Sequence, residues 1–474
     1  MLFNSFAFIV FLPLVFLGYW WLFGRSLRGQ NLFIIAASYL FYGWWDWRYL
    51  ILLFVSSFTD YWLGIYIDSN EDQRKRKRAL ILSLVFNLGI LGFFKYFNFF
   101  IDSFADLLRS VGFQPNMWSL RVILPVGVSF YTFQSLSYTI EAYRRNFKPA
   151  RDPIAYLAFV SFFPHMVAGP IMRAVDLLPQ FQRLRTFDMA KARDGARQML
   201  WGFFKKIAIA DPCAWMVNRI FDMDPAQTPG ITLFFGAVFF AFQIYGDFSG
   251  YSDIAIGCAR FFGIDLMRNF NYPYFSRSIG EFWRRWHISL STWFRDFLYV
   301  PLGGSRVPRG RHILNLMITF TISGLWHGAN WTFVTWGALN GAYYVPEVLS
   351  GTKERIGHPM LRDLPRILFT FVLVTLTWVF FRSVSIHDAF AYLRYTFANI
   401  GSHPGAALVW LQSQQALLVG VLLVVEWIRR RRQHPLEDIH FHVAVRWMIY
   451  LVIALVVLYK LNVDAENEFI YFQF

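Results

Sequence analysis

The sequence predicts an all-α polytopic membrane protein, and three observations carry that expectation. Of its 474 residues, 56% are hydrophobic, 20% aromatic and only 16% charged, too little polar surface for a soluble chain of this length. Apolar stretches recur near the length a helix needs to cross the hydrocarbon core, about 20 residues. The formal charge of +15 is gathered into short loops between those stretches. Candidate spans or half-spans are 5–23, 31–45, 49–67, 79–100, 121–141, 154–171, 198–220, 231–262, 313–346, 364–381, 407–428 and 443–460. That gives about 11–13 transmembrane or re-entrant helices. No soluble domain, repeat or low-complexity linker intervenes. Residues 1–474 therefore read as a single membrane domain, with N-terminal helices at 1–110, a core at 121–346 and C-terminal helices at 364–474.

The first span, MLFNSFAFIVFLPLVFLGYW, has no basic start and no small-residue cleavage site, so it reads as a retained anchor. Basic clusters follow odd-numbered spans: Arg25 and Arg28, Arg74–Arg78, Arg144 to Arg151, and Arg429–Arg432. The positive-inside rule makes that side cytoplasmic and predicts both termini outside. Anionic lipid headgroups explain these clusters, and no nucleic-acid-binding motif accompanies them. Cys213 and Cys258 lie in or beside apolar segments and give no disulfide framework.

In FYGWWDWRYL the tryptophans around Asp46 and Arg48 have the composition of an interfacial belt. Residues 121–145 carry Ser129, Thr132, Gln134, Ser135, Ser137 and Glu141, too polar for lipid, so this helix should face protein or a wet cavity. The next span holds Pro164, His165, Gly169 and Pro170 and should be broken or re-entrant. His165 there suits a cavity lining or a partner for the helix break. Lys205 and Lys206 suggest snorkelling at an interface. In the long segment that follows, Asp247, Ser249, Tyr251 and Asp253 form a polar island between glycines. Two carboxylates there must be paired, protonated or exposed to a water-filled space.

Residues 277–304 have too many charges to span. Read as one amphipathic helix, they place Arg284, His287, Ser291 and Arg295 along a single polar stripe, ending at Pro301 and Gly303–Gly304. Then comes SGLWHGANWTFVTWG, which sets His327 and Asn330 in a Trp-rich segment with no Asp, Glu, Lys or Arg between Arg311 and Glu347. An ionisable group at that depth is a functional candidate by default, and imidazole suits proton transfer near neutral pH. The bland alternative is a histidine that only glues helices together. Residues 384–400 look like a short amphipathic helix.

Other patterns carry less. His358 and Asp363 match a His-four-Asp acyltransferase spacing, but in a Gly/Pro-bearing loop where chance explains it. His434, Glu437, Asp438, His440 and His442 read as a solvated loop, so no metal site is expected. There is no Gly-x-Ser-x-Gly elbow, phosphate-binding Gly loop or Rossmann fingerprint.

Two tryptophan-flanked histidines forty positions apart remain. WRRWHISLSTWFRDF (283–297), PLGG (301–304) and SGLWHGA (323–329) together resemble the membrane-bound O-acyltransferase (MBOAT) family, closest to its bacterial alginate-acetylating branch. YGDFSGYS (245–252) and the ending FIYFQF share that likeness. The resemblance implies an MBOAT fold of helices around a central funnel and a bacterial inner-membrane location. It implies acetyl transfer from a cytoplasmic thioester, acetyl-CoA, with no permanently bound cofactor. His327 would be the catalytic base and His287 a second functional residue. By their own chemistry, Arg284, Arg295 and Ser291 would hold the donor, with His287 orienting its phosphates or polarising its carbonyl, while Asp247, Ser249, Tyr251, Asn330 and Gln134 would line the cavity. It further implies O-acetylation of an exported polysaccharide, alginate first, with cellulose or peptidoglycan behind. A periplasmic SGNH-hydrolase-like acetyltransferase in trans would accept the acetyl group beside the polysaccharide export machinery. D-alanyl transfer to teichoic acid and a proton-coupled transporter relaying through His287, His327, Asp247 and Asp253 are the alternatives.

Overall fold

A computed structural model describes residues 1–114, 122, 125, 127–166, 169–351, 357–403, 405–461 and 469–470. Among the described residues the regular structure is helical, with no strand. Five helical segments are long and apolar enough to cross a membrane: Tyr49–Ser69, Gln73–Ser110, Gly230–Phe261, Leu361–Arg382 and Val443–Lys460. The chain is thus an all-α polytopic membrane protein. It forms two compact units, residues 1–192 with 259–266, and residues 193–258 with 267–474.

In the first unit the helices are α1 (Phe6–Leu17), α2 (Leu27–Gly43), α3 (Tyr49–Ser69), α4 (Gln73–Leu91), α5 (Phe97–Ser110), α6 (Val128–Tyr143), α7 (Pro153–Ser161), α8 (Phe163–Met166) and α9 (Ala174–Phe181). The polar helix expected at 121–141 begins only at Val128, after Gly127 takes a left-handed conformation, φ 76°. Residues 121, 123, 124 and 126 lie outside the described set. From Val128 to Thr139 every residue of α6 is buried, so its hydroxyls face protein, as a polar span must. They meet a polar seam. Asp60 of α3 accepts from Ser83 Oγ at 2.6 Å and Asn87 Nδ2 at 2.8 Å, and Ser83 Oγ lies 3.0 Å from Thr139 Oγ1. The broken passage is also present, as α7 and α8 separated at Phe162. His165 Nε2 donates to Gln134 Oε1 at 2.9 Å, which ties the break to α6.

The second unit takes in most of α10 (Met189–Phe203) and of α12 (Gly230–Phe261), with α11 (Asp211–Phe221) between them. It continues with α13 (Ile279–Arg285), α14 (Ile288–Phe294), α15 (Arg309–His327), α16 (Trp331–Ser350), α17 (Leu364–Arg382), α18 (Ile386–Ala398), α19 (Ala406–Leu411), α20 (Gln414–Arg429) and α21 (Val443–Lys460). Three expectations change here. The stretch 313–346 is a hairpin of two helices rather than one passage, because Gly328 leaves helical geometry and Asn330 caps α16 by accepting from Thr332 N at 3.0 Å. The single amphipathic helix at 277–304 is interrupted at Trp286–His287, where His287 adopts φ 43°. Lys205 and Lys206 do not snorkel. Both are buried in a π-helical stretch, Phe204–Ala210, and reach inward to carboxylates.

Helix α15 lies on α16 in backbone contact. A Cβ added at Gly337 would sit 2.3 Å from the Phe320 carbonyl oxygen, and one at Gly324 would sit 2.2 Å from that of Phe333. Small residues permit such close packing where lipid offers no hydrophobic drive. The result fixes the end of α15, and His327 is its last residue.

Candidate functional site

The two histidines singled out from the sequence come together, with ring centroids 6.2 Å apart and planes at 61°. Both are buried, at 1% exposure for His287 and 3% for His327. Aromatic edges enclose them. Trp326, Trp336 and Phe381 surround His327 at centroid distances of 5.0, 5.1 and 5.7 Å. Phe248 meets His287 edge-on at 4.6 Å. Trp378 stacks on Trp336 at 5.3 Å and backs the enclosure. Such a lining keeps bulk water from the imidazoles, which strengthens every charge interaction made there.

Asn269 orients His287. Its Oδ1 accepts from Ser289 N at 3.2 Å and Ser289 Oγ at 2.9 Å, and it lies 3.2 Å from His287 Nδ1. Its Nδ2 donates to Ser252 Oγ at 3.2 Å, which fixes the amide's orientation. A neutral imidazole that donates from Nδ1 keeps a lone pair on Nε2. Among the described residues that buried Nε2 has no hydrogen-bond partner. It is a proton acceptor facing the enclosure, and in this tautomer it cannot donate a hydrogen bond to polarise a carbonyl.

The helix break decides which residues share a wall. Arg284, Ser291 and Arg295 line one cavity of about 300 Å³ together with Trp283, His312, Phe320 and Ser323. Continuous helix would have put His287 on that stripe. The kink turns it away, so the two arginines and His287 do not act on one group directly. The cavity is nonetheless near the histidines. Trp283 lines it and touches Trp336 at 5.6 Å, and Trp336 touches His327. Its lining joins Arg284 and Arg295, the latter paired with Asp296 at 2.7 Å, to apolar residues that include Phe294, Leu316 and Phe320.

Asp247, Ser249 and Tyr251 belong to a buried ionic cluster and line neither this cavity nor the one formed around Arg362. Lys206 Nζ bridges Asp247 and Asp211, each at 2.8 Å, and Lys205 Nζ lies 2.6 Å from Asp253 and 2.9 Å from Ser249 Oγ. Of the three states expected for the two carboxylates (paired, protonated or water-exposed), the structure shows the paired one. Tyr251 packs on Phe469 at 4.5 Å, and Ile470 N donates to Asp247 Oδ2 at 2.7 Å. Of the ending FIYFQF, only Phe469 and Ile470 fall within the described residues. Asn330 acts as a helix cap and also donates to Val384 O at 3.1 Å. Gln134 lies in the other unit, bonded to His165 and donating to Phe159 O at 3.1 Å.

Four participants were not singled out in the sequence. Asn269 sits alone in a short loop and carries no pattern. Trp378 and Phe381 look like ordinary residues of an apolar span. Glu426, which accepts from Tyr245 OH at 2.9 Å, had a signal: it is the one carboxylate in the apolar run of α20.

Comparisons with known proteins show the family. The model of the MBOAT, membrane-bound O-acyltransferase family, matches residues 39–381. The chain is 40% identical over 443 residues to a probable alginate O-acetylase AlgI of Pseudomonas aeruginosa, covering 92% of this chain and 83% of that one. It is 35% identical over 424 residues to a peptidoglycan O-acetyltransferase of Helicobacter pylori, covering 83% and 79%. A teichoic acid D-alanyltransferase of Streptococcus thermophilus is 28% identical over 267 residues, covering 51% and 62%. With two enclosed histidines, one of them at the turn of a helical hairpin, the chain belongs to the membrane-bound O-acyltransferase family and is an O-acyltransferase.

Proposed function

We propose that the protein moves an acetyl group from a cytoplasmic thioester, acetyl-CoA, toward an exported polysaccharide, alginate, in the bacterial inner membrane. The observation that carries the reading is the pair of enclosed imidazoles 6.2 Å apart, with an arginine-bearing cavity two ring contacts away. The likeness to alginate O-acetylases over most of the chain favours alginate over peptidoglycan and over D-alanyl transfer.

A hydroxyl attacks a thioester only as a base removes its proton. His327 takes that proton while the hydroxyl oxygen bonds to the carbonyl carbon. The C–S bond then breaks, and the proton passes to the departing sulfur. His287, an acceptor at Nε2, accepts a hydrogen bond from the N–H of the His327 imidazolium as it forms. General-base assistance of this kind contributes about 10²–10⁴-fold. Arg284 and Arg295 hold the donor's phosphates, because guanidinium groups pair with phosphate through charge-assisted hydrogen bonds. The pantetheine arm then lies along the apolar wall.

The immediate acceptor is a hydroxyl on a periplasmic SGNH-hydrolase-like protein, which passes the acetyl to sugar. The reading places both termini on the periplasmic side. The test replaces His327 and, separately, His287 with Ala and assays acetyl ester on secreted polymer. Loss of acetylation at normal protein level is expected for both. Unchanged acetylation in the His327 variant would remove the mechanism.

A further inference from the structure

A second cavity, of about 720 Å³, opens where α17 begins, and Arg277, His358, Arg362, Asp363 and Arg366 line it. Its charges are unequal in their commitments. Arg277 is held by Glu281 at 2.9 Å, lies 3.7 Å from Asp363, and donates to Gly357 O at 3.1 Å. Arg362 and Arg366 are exposed and make no ion pair or hydrogen bond among the described residues. More positive charge stands behind them. Partial burial, and then the field of Arg285, Arg431, Arg430 and Arg268, hold the His358 imidazole below its ordinary pKa. Arg430 Nε is anchored on Pro359 O at 2.9 Å, so part of that field is fixed by the loop itself.

The cavity does not open onto water alone. Leu361–Arg382 is one of the segments apolar enough to cross the membrane, and its first turns are exposed at Leu361, Leu364, Leu368 and Phe369. Helical spacing puts Phe369 one turn below Arg366 on the same face. Guanidinium groups thus crown an apolar strip at the start of a segment apolar enough to cross the membrane. A soluble phosphate compound would use the arginines alone and gain nothing from that strip. An anionic phospholipid matches both. Basic pockets beside transmembrane helices on the cytoplasmic side suit such headgroups.

We propose that the arginine-lined cavity at the start of α17 is a binding site for an anionic phospholipid, its phosphate held by Arg362 and Arg366 and its chains lying along Leu364, Leu368 and Phe369. The site is distinct from the Arg284–Arg295 cavity and does not depend on the acetyl-transfer reading.

The experiment is native mass spectrometry of the delipidated full chain in detergent. It is titrated separately with dioleoyl phosphatidylglycerol, dioleoyl phosphatidylcholine and CoA. The unaltered protein is expected to prefer phosphatidylglycerol over phosphatidylcholine. The Arg362→Gln/Arg366→Gln variant should lose roughly 25-fold in phosphatidylglycerol affinity, at about fivefold per guanidinium, with phosphatidylcholine binding unchanged. Arg25→Gln/Arg28→Gln, which removes the same charge elsewhere, should stay within about twofold. Should the double glutamine variant fail to fold, Arg366→Gln alone should lose about fivefold and Arg362→Lys/Arg366→Lys should retain the preference. An unchanged preference in the glutamine variants would overturn the proposal, as would an equal loss in the Arg25/Arg28 protein. So would CoA displacing phosphatidylglycerol from the cavity, since the phosphate recognised would then be that of a soluble compound.

Discussion

Replacing Gly337 by Ala tests whether helix separation sets the catalytic geometry. The added Cβ would sit 2.3 Å from Phe320 O and 3.0 Å from Gly324 Cα, both backbone atoms that no rotamer change can move. Ordinary contact requires the crossing of α15 and α16 to open by roughly 1 Å, and a misplacement of that size can lower a rate by about 100-fold. The shift would be delivered to His327, which lies at the α15 end of the crossing. Gly341→Ala is the matched control on the same helix. Its Cβ would meet Met317 Sδ at 3.0 Å and Phe320 Cβ at 3.2 Å. The thioether can rotate away, so activity within about threefold of the parent is expected. The assay is acetyl ester on secreted polymer, normalised to membrane protein by immunoblot. Parent-like activity in the Gly337 variant, or equal losses in the two, would refute the reasoning.

Asn269→Ala removes the acceptor that sets the His287 tautomer. A neutral hydrogen bond is worth about 1 kcal/mol, so the rate should fall roughly 5- to 10-fold, whereas Asn269→Asp keeps the acceptor and should recover most of it; acetyl-transfer kinetics of the purified protein check this. Arg284→Gln/Arg295→Gln should raise KM for acetyl-CoA by about tenfold or more while leaving kcat within about twofold, because charge-assisted bonds to the donor's phosphates bind ground and transition states alike. Lys206→Met strands Asp247 and Asp211 without their shared cation, a loss of about 3–5 kcal/mol. Thermal unfolding in detergent should show little folded protein, and Lys206→Met/Asp211→Asn/Asp247→Asn should recover part of the stability.

Much of this architecture was legible in the residues, and the failures share a physical cause. The buried polar face of α6 followed from composition, since hydroxyls and an amide cannot face hydrocarbon. The break before α8 followed from proline, and both tryptophan-flanked histidine segments stood out. The hairpin turn did not, because Gly328-Ala329-Asn330 carries no charge and leaves hydropathy continuous from Ile313 to Tyr344. The kink at His287 was invisible for a related reason: helical periodicity runs unbroken through Trp286, and only tertiary contact at Asn269 draws the backbone out of it. The inward turn of the lysine pair was hidden because Asp253 and Asp247 stand more than forty residues from Lys205 and Lys206, and only Asp211 is near in the chain. A residue alone signals that it needs company, not where that company comes from.

The left-handed residue between α13 and α14 has an evolutionary corollary. On the proposed reading it works as a partition, with the groups that would grip a donor's charged handle on one side and the imidazole of His287 on the other. Substitutions at Arg284, Ser291 or Arg295 can retune which carrier is gripped without reaching the acid–base apparatus. One scaffold can thereby trade one thioester for another while the bond-making step stays as it was.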